Sequence, residues 1–153
     1  CTPLQIKRYL EKISQPLLDR IDITMEVQKV SPEKIISGSQ KPPESSADIR
    51  ARVEKARLVQ SGRYKGTGYL YNSQLLDRDI DVFCHLGNEE RKTARRLYDK
   101  YNLSARSYRK ILKVSRTIAD LAGSPEITEE HLLEAAFYKS LDRKYWGGIY
   151  GEY

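Results

Sequence analysis

Apolar residues recur at three- and four-residue intervals through most of this chain, and one short stretch alternates instead. The fullest helical pattern is Tyr108, Ile111, Leu112, Ser115, Ile118, Ala119 and Ala122, which share one face of a helix. Ser104 stands where its hydroxyl can accept an orphan N–H at the amino end. Gly123 and Pro125 stand where a helix stops. The same spacing predicts a first helix from Thr2-Pro3 to about Ile13 and a short one opened by Ser31-Pro32-Glu33. Further helices are predicted from Ser45 or Ser46 to about Arg63, from Asn72 or Ser73 to about Cys84, from Asn88 to about Asn102, and from Thr128 to Leu141. From Ile21 to Val27 apolar and polar residues alternate without exception, the mark of a half-buried strand. A lone strand leaves backbone groups unpaired, so its sheet partners are expected upstream of Cys1. The expected fold is mainly α: a helical bundle preceded by a helix and a single strand of an incomplete core.

A Ser-, Gly- and Pro-rich stretch over residues 37–46 reads as a linker. It divides residues 1–36 from a helical unit over 47–143, and the Gly- and aromatic-rich residues 144–153 read as a tail without fixed order. Length suits one domain or one small domain plus part of another. No apolar run approaches the ~20 residues that span a bilayer, so no membrane contact is expected. Two cysteines, Cys1 and Cys84, are too few for a disulfide framework, and a cytoplasmic setting is expected. The chain opens Cys-Thr-Pro without methionine and reads as a piece of a longer protein.

The net charge of +6 favours an anionic partner. The basic residues are concentrated: between Arg91 and Arg116 lie ten Lys or Arg and one acid, Asp99. Such a face is either solvated or set against DNA or an acidic neighbouring subunit, and Arg91, Arg95, Arg96, Lys110 and Lys113 are the candidate contacts. Arg106 falls in the first turn of the Ser104 helix, where a cation is unfavourable by about 0.3–1 kcal/mol. It is either solvated or paired with a carboxylate, or it faces an anion such as a nucleotide phosphate together with the helix amino end. Arg20, between Asp19 and Asp22, is open to a local ion pair. Two apparent motifs carry no chemistry. Gly62, Gly66 and Gly68 lack the Gly-Lys-Ser/Thr of a phosphate loop, and Cys84-His85 lacks the second ligand pair of a zinc site, so no metal site is expected.

Three blocks together resemble a known family. They are Pro16-Leu17-Leu18-Asp19-Arg20-Ile21-Asp22, the run from Leu103 through Ser104-Ala105-Arg106-Ser107-Tyr108 to Leu121, and Leu141-Asp142-Arg143. In order and spacing they resemble the C-terminal part of the magnesium-chelatase-like AAA+ ATPases, in the ComM/YifB branch, over about residues 1–146. Gln15 departs from the glycine usual before Pro-Leu-Leu, and Cys1-Thr2 is similar to the end of a cysteine cluster in that family. The resemblance implies that residues 1–36 end an AAA+ α/β core and that residues 47–143 form its helical lid. It implies that Arg20 is an arginine finger acting in trans, and that Arg106 is the sensor-2 arginine reading the nucleotide of its own subunit. It further implies ATP and Mg²⁺ as cofactors, a hexameric ring of copies of the protein, and action on DNA. Neither a Walker A loop nor an Asp-Glu-terminated Walker B run is present in the sequence, so the chain alone is expected to lack ATPase activity. Two other functions stay open: a motor subunit for metal insertion, and a basic helical module binding nucleic acid or protein without ATPase chemistry.

Overall fold

Thr2 caps the first helix, α1 (Pro3–Leu10), as its sequence predicts. Its hydroxyl accepts the Gln5 N–H at 3.4 Å while the Gln5 side chain accepts the Thr2 N–H at 2.8 Å, a reciprocal capping box. The computed structural model describes residues 2–32 and 43–150, the latter without the side chains of 140–144 and 147–150. The expected helix opened by Ser31, most of the expected linker, Cys1 and the Arg143 side chain lie outside the described residues. After α1 comes one turn, α2 (Gln15–Leu18), whose Leu18 is buried. The remaining helices are α3 (Ser46–Arg63), α4 (Ile80–Phe83), α5 (Asn88–Lys100), α6 (Ala105–Ala122) and α7 (Glu129–Tyr150).

The bundle is built around α6. It packs against α7 and α3, and α5 packs against α7. Ile111, Leu112 and Ala119 from α6 meet Leu132, Ala135 and Ala136 from α7, with Ala94 and Leu97 from α5 completing the core. Leu132 is wholly buried, a burial that contributes about 1.5–3 kcal/mol. Ser104 accepts the Ser107 N–H at 3.1 Å at one end. At the other, Gly123 adopts φ +73°, the left-handed conformation that ends a helix with least strain on glycine.

Three expectations change. Residues 21–27 form no strand, and no strand occurs among the described residues. The stretch carries no regular structure and is held through Thr24, whose N–H (3.1 Å) and Oγ1 (2.5 Å) both donate to the Tyr138 carbonyl of α7. Ile23, Met25 and Val27 stay exposed. Residues 72–84 are not one helix but two 3₁₀ turns, Asn72–Gln74 and Asp77–Asp79, followed by α4. Leu75 turns to ψ 128° there, and its carbonyl accepts from Lys113 Nζ at 2.5 Å. Finally, α7 runs on to Tyr150 rather than ending near Leu141, and Trp146 Nε1 on its last turns donates to the Leu10 carbonyl at 3.0 Å.

A polar cluster lies inside the bundle. Asp120, buried, accepts from Arg63 (Nη1 at 2.9 Å), Arg116 (Nε at 3.1 Å) and Asn72 (Nδ2 at 2.9 Å). Tyr64 donates to Asn72 Oδ1 at 2.6 Å. Arg116 also donates to the carbonyls of Ser124 (2.7 Å) and Pro125 (2.9 Å). The sequence places Arg116 off the apolar stripe, yet it is 3% exposed. Burial pushes the Asp120 carboxyl up, but hydrogen bonds from Arg63 and Asn72 and the charges of Arg116 and Arg63 outweigh it and hold the group below its usual range. Cys84, beneath this cluster, is buried and its thiol is pushed up to about 11 by desolvation, so it behaves as an inert core residue.

Candidate functional site

The amino end of α6 and the turn after α2 come together. Ser107, in the first turn of α6, donates through Oγ to Asp19 Oδ1 at 3.3 Å. One turn further on, Lys110 donates to the Arg20 carbonyl and pairs with Asp22 Oδ1 at 2.7 Å. Arg20 and Arg106 each neighbour the Asp19–Ser107 pair in sequence, so the fold brings the two positions to one end of the bundle.

Both guanidinium groups are exposed. Arg20 donates from Nη1 to the Pro16 carbonyl at 2.7 Å. The two acids beside it do not neutralise it: Asp19 is engaged by Ser107, and Asp22 by Lys110. Most of its five N–H donors therefore stay open. Arg106 has no hydrogen-bond or ion-pair partner among the described residues and sits in the first turn, which holds no acid. Two unneutralised cations and the positive end of an eighteen-residue helix thus lie at one end of the bundle. The donor set suits a phosphate, which planar guanidinium groups bind in a fixed two-pronged geometry. It does not suit a cation, and no group of three His, Cys, Asp or Glu that would hold a metal occurs among the described residues.

The five basic candidates divide. Arg96 donates to Thr93 Oγ1 at 2.6 Å and to Glu129 at 3.3 Å. Lys110 is committed to the Arg20 turn, and Lys113 to the Leu75 carbonyl. Arg91 and Arg95 are exposed and have no hydrogen-bond or ion-pair partner among the described residues. With Tyr98 they lie at i, i+4 and i+7 on α5, one stripe of its surface. Tyr98 is 39% exposed and meets Tyr108 edge-on, ring centroids 5.7 Å apart. Sequence spacing alone places Tyr98 on an apolar stripe, so this half-exposed ring is not legible there. A buried lysine, Lys139, is not legible in the sequence either: it donates to the carbonyls of Leu18 (2.7 Å) and Ile21 (3.2 Å) on either side of Arg20. Nothing in its spacing separates it from the exposed lysines.

The described residues form helices packed around α6 without a strand, an architecture consistent with a helical lid domain. A family described as magnesium chelatase, subunit ChlI C-terminal, matches residues 43–139, and one described as magnesium chelatase, subunit ChlI, matches residues 1–35. The chain belongs to the magnesium chelatase subunit ChlI C-terminal family, whose helical domain is of the AAA+ lid type. It is 38% identical over 142 residues to competence protein ComM of Haemophilus influenzae, covering 93% of this chain and 27% of that protein. It is 39% identical over 143 residues to YifB of Escherichia coli, covering 94% of this chain and 27% of that protein. YifB of Salmonella typhimurium is 36% identical over 143 residues, with the same coverage of 94% and 27%. The chain thus spans about a quarter of the length of these curated relatives. No helix among the described residues is long and apolar enough to cross a membrane.

Proposed function

We propose that the chain is the lid and arginine-bearing part of a ring-forming, cytoplasmic AAA+ ATPase, a hexamer in this reading, and that Arg20 and Arg106 act together on one nucleotide held by the neighbouring subunit. Residues 1–36 then trail from the ATPase core, 37–46 link, 47–143 form the lid and 144–153 are its tail, of which the residues up to Tyr150 continue the last helix. The observation that carries this reading is the Asp19–Ser107 and Lys110–Asp22 seam, which presents both arginines from one end of one chain. The proposal differs here from what the resemblance implies, which is that Arg106 serves its own subunit. ATP, with Mg²⁺ held outside this chain, supplies the phosphoryl group that is transferred to water. The part played by this chain is charge stabilisation. Arg20, exposed and unneutralised by its flanking acids, compensates the charge that develops as the phosphoryl group leaves, an effect of about 10³–10⁵ in rate for arginine fingers. Arg106 and the amino end of α6 bind the phosphates electrostatically. The test is ATP turnover by the full-length protein with Arg20→Ala: turnover should collapse while nucleotide binding is retained. Turnover equal to that of the unsubstituted protein would reject the reading.

A second element of the reading is remodelling of DNA by the ring, and the observation that favours it is the Arg91–Arg95–Tyr98 stripe. Counterion release makes each neutralised phosphate of duplex DNA contribute about 0.9 to the slope of log affinity against log salt. Replacing both Arg91 and Arg95 with Ala should therefore lower that slope by about 1.8, measured by anisotropy of a labelled duplex across a sodium chloride series. Replacing Lys113, whose ammonium is occupied by Leu75, should change it far less. An unchanged slope in the double variant would end this element and leave the ATPase reading intact.

A further inference from the structure

Lys139 is 7% exposed. An ammonium group is costly to bury unless its protons meet acceptors, so its place in α7 asks what it secures. Its Nζ reaches the carbonyls of Leu18 at 2.7 Å and Ile21 at 3.2 Å. Lys110, whose side chain is 17% exposed, reaches the Arg20 carbonyl and Asp22 Oδ1 from α6. Three of the four carbonyls from residue 18 to residue 21 are thus taken by ammonium groups of two lid helices. The Leu18 carbonyl at the end of α2 also accepts the Ile21 N–H at 3.0 Å, so Lys139 fastens a turn that is already closed by the backbone. A rotatable ammonium with three donors suits converging carbonyls, where the flat guanidinium of arginine would not.

We infer that Lys139 and Lys110 are positioning residues that fix the backbone of the Arg20 turn from the lid side and so aim its guanidinium. The inference rests on the proposed role of Arg20 at a transferring phosphoryl group. Its consequence is that lid and finger move as one body: a shift of α6 and α7 carries the Arg20 turn with it.

The experiment is steady-state ATP hydrolysis by the full-length protein, with Lys139→Met, Lys110→Met, Lys139→Arg, Arg20→Ala and the double variant Arg20→Ala/Lys139→Met. Misplacing a reacting group by about 1 Å can cost about 10²-fold. Lys139→Met is therefore expected to lower kcat by about 10²-fold with little change in KM for ATP. Lys110→Met should lower it less, because one of its acceptors is an exposed acid. Lys139→Arg, which keeps the charge but not the geometry, should restore only part of the rate. The deciding measurement is the double variant. If Lys139 acts through Arg20, its removal costs nothing further once Arg20 is gone. Lys139→Met with the kcat of the unsubstituted protein, or a double variant slower than Arg20→Ala by the full single-variant factor, would overturn the inference. Should Lys139→Met fail to fold, Lys110→Met in the same cycle with Arg20→Ala gives the same decision. Failure of the proposed function would look different: Arg20→Ala itself would leave kcat unchanged.

Discussion

Rings assembled from equal amounts of full-length Arg20→Ala and Arg106→Ala subunits should hydrolyse ATP no faster than rings of the more active variant alone. Arg20→Ala removes the charge that the transition state needs, a loss of about 10³–10⁵-fold. Arg106→Ala weakens phosphate binding and turnover together. If both arginines reach from one chain to the nucleotide of its neighbour, every subunit in the mixture brings a site only one of the two. No intersubunit site is complete at any mixing ratio. The outcome differs if Arg106 serves its own subunit's nucleotide. An Arg20→Ala subunit followed by an Arg106→Ala subunit would then make a complete site, and activity would return. A control fixes the interpretation. Arg20→Ala mixed with a subunit disabled in its phosphate loop should regain activity, because the second brings both arginines to the nucleotide held by the first. Recovery in the control and none in the arginine mixture is the expected pair of results. Arg106→Ala should also leave the thermal melt within about 0.5 kcal/mol, since Arg106 is an exposed cation at the unfavourable end of a helix.

Asp120→Ala should destabilise the bundle by about 3–5 kcal/mol, the usual cost of leaving buried charges without their partner. Arg116, 3% exposed, and Arg63 would lose the carboxylate that both contact, and Asn72 Nδ2 would lose an acceptor. For a chain of this size that is a fall in Tm on the order of 10 °C, read by far-ultraviolet circular dichroism. A loss below about 1 kcal/mol would show that the cluster contributes little beyond filling space. The pH dependence has a definite sign. The Asp120 carboxyl titrates lower in the folded chain than its ordinary value of about 3.9. Its stabilisation is therefore complete above that ordinary value and is lost as pH falls through the lower folded value. The difference in Tm between the parent and Asp120→Asn should be constant above about pH 5 and shrink below about pH 4.

The long helices were legible because their ends and faces obey local rules. Ser104 and Gly123 mark the limits of α6, and the periodicity from Ile111 to Ala119 selects its buried face. The misreadings share a different cause. At Leu75 and Thr24 the deciding bonds join a side chain or amide to a main-chain carbonyl far away in sequence, from Lys113 to Leu75 and from Thr24 to Tyr138. Every residue has such a carbonyl, so the acceptor leaves no trace in residue type. The alternation from Ile21 to Val27 is real, but alternation reports which faces could be covered and not whether a neighbouring strand is present. Arg116 is buried although its spacing puts it off the apolar stripe, because a long cationic side chain can turn inward when a carboxylate waits there. At the candidate site, motif and capping position single out Arg20 and Arg106 as candidates. Their presentation from one end was not, because it depends on Asp19 meeting Ser107 across 88 residues.

The chain contains one tryptophan and eleven tyrosines. The indole of Trp146 donates to the Leu10 carbonyl, joining the last helix to the first. Helix α1 buries none of its own residues, so this seam is among its few ties to the bundle. Fluorescence excited selectively at the tryptophan therefore has a single origin, and that origin lies where the first helix rests on the last. Undocking of α1 would expose the indole to water and shift its emission to the red, while the circular dichroism of the bundle held steady. The molecule carries an optical gauge of its own amino-terminal docking, with no label attached.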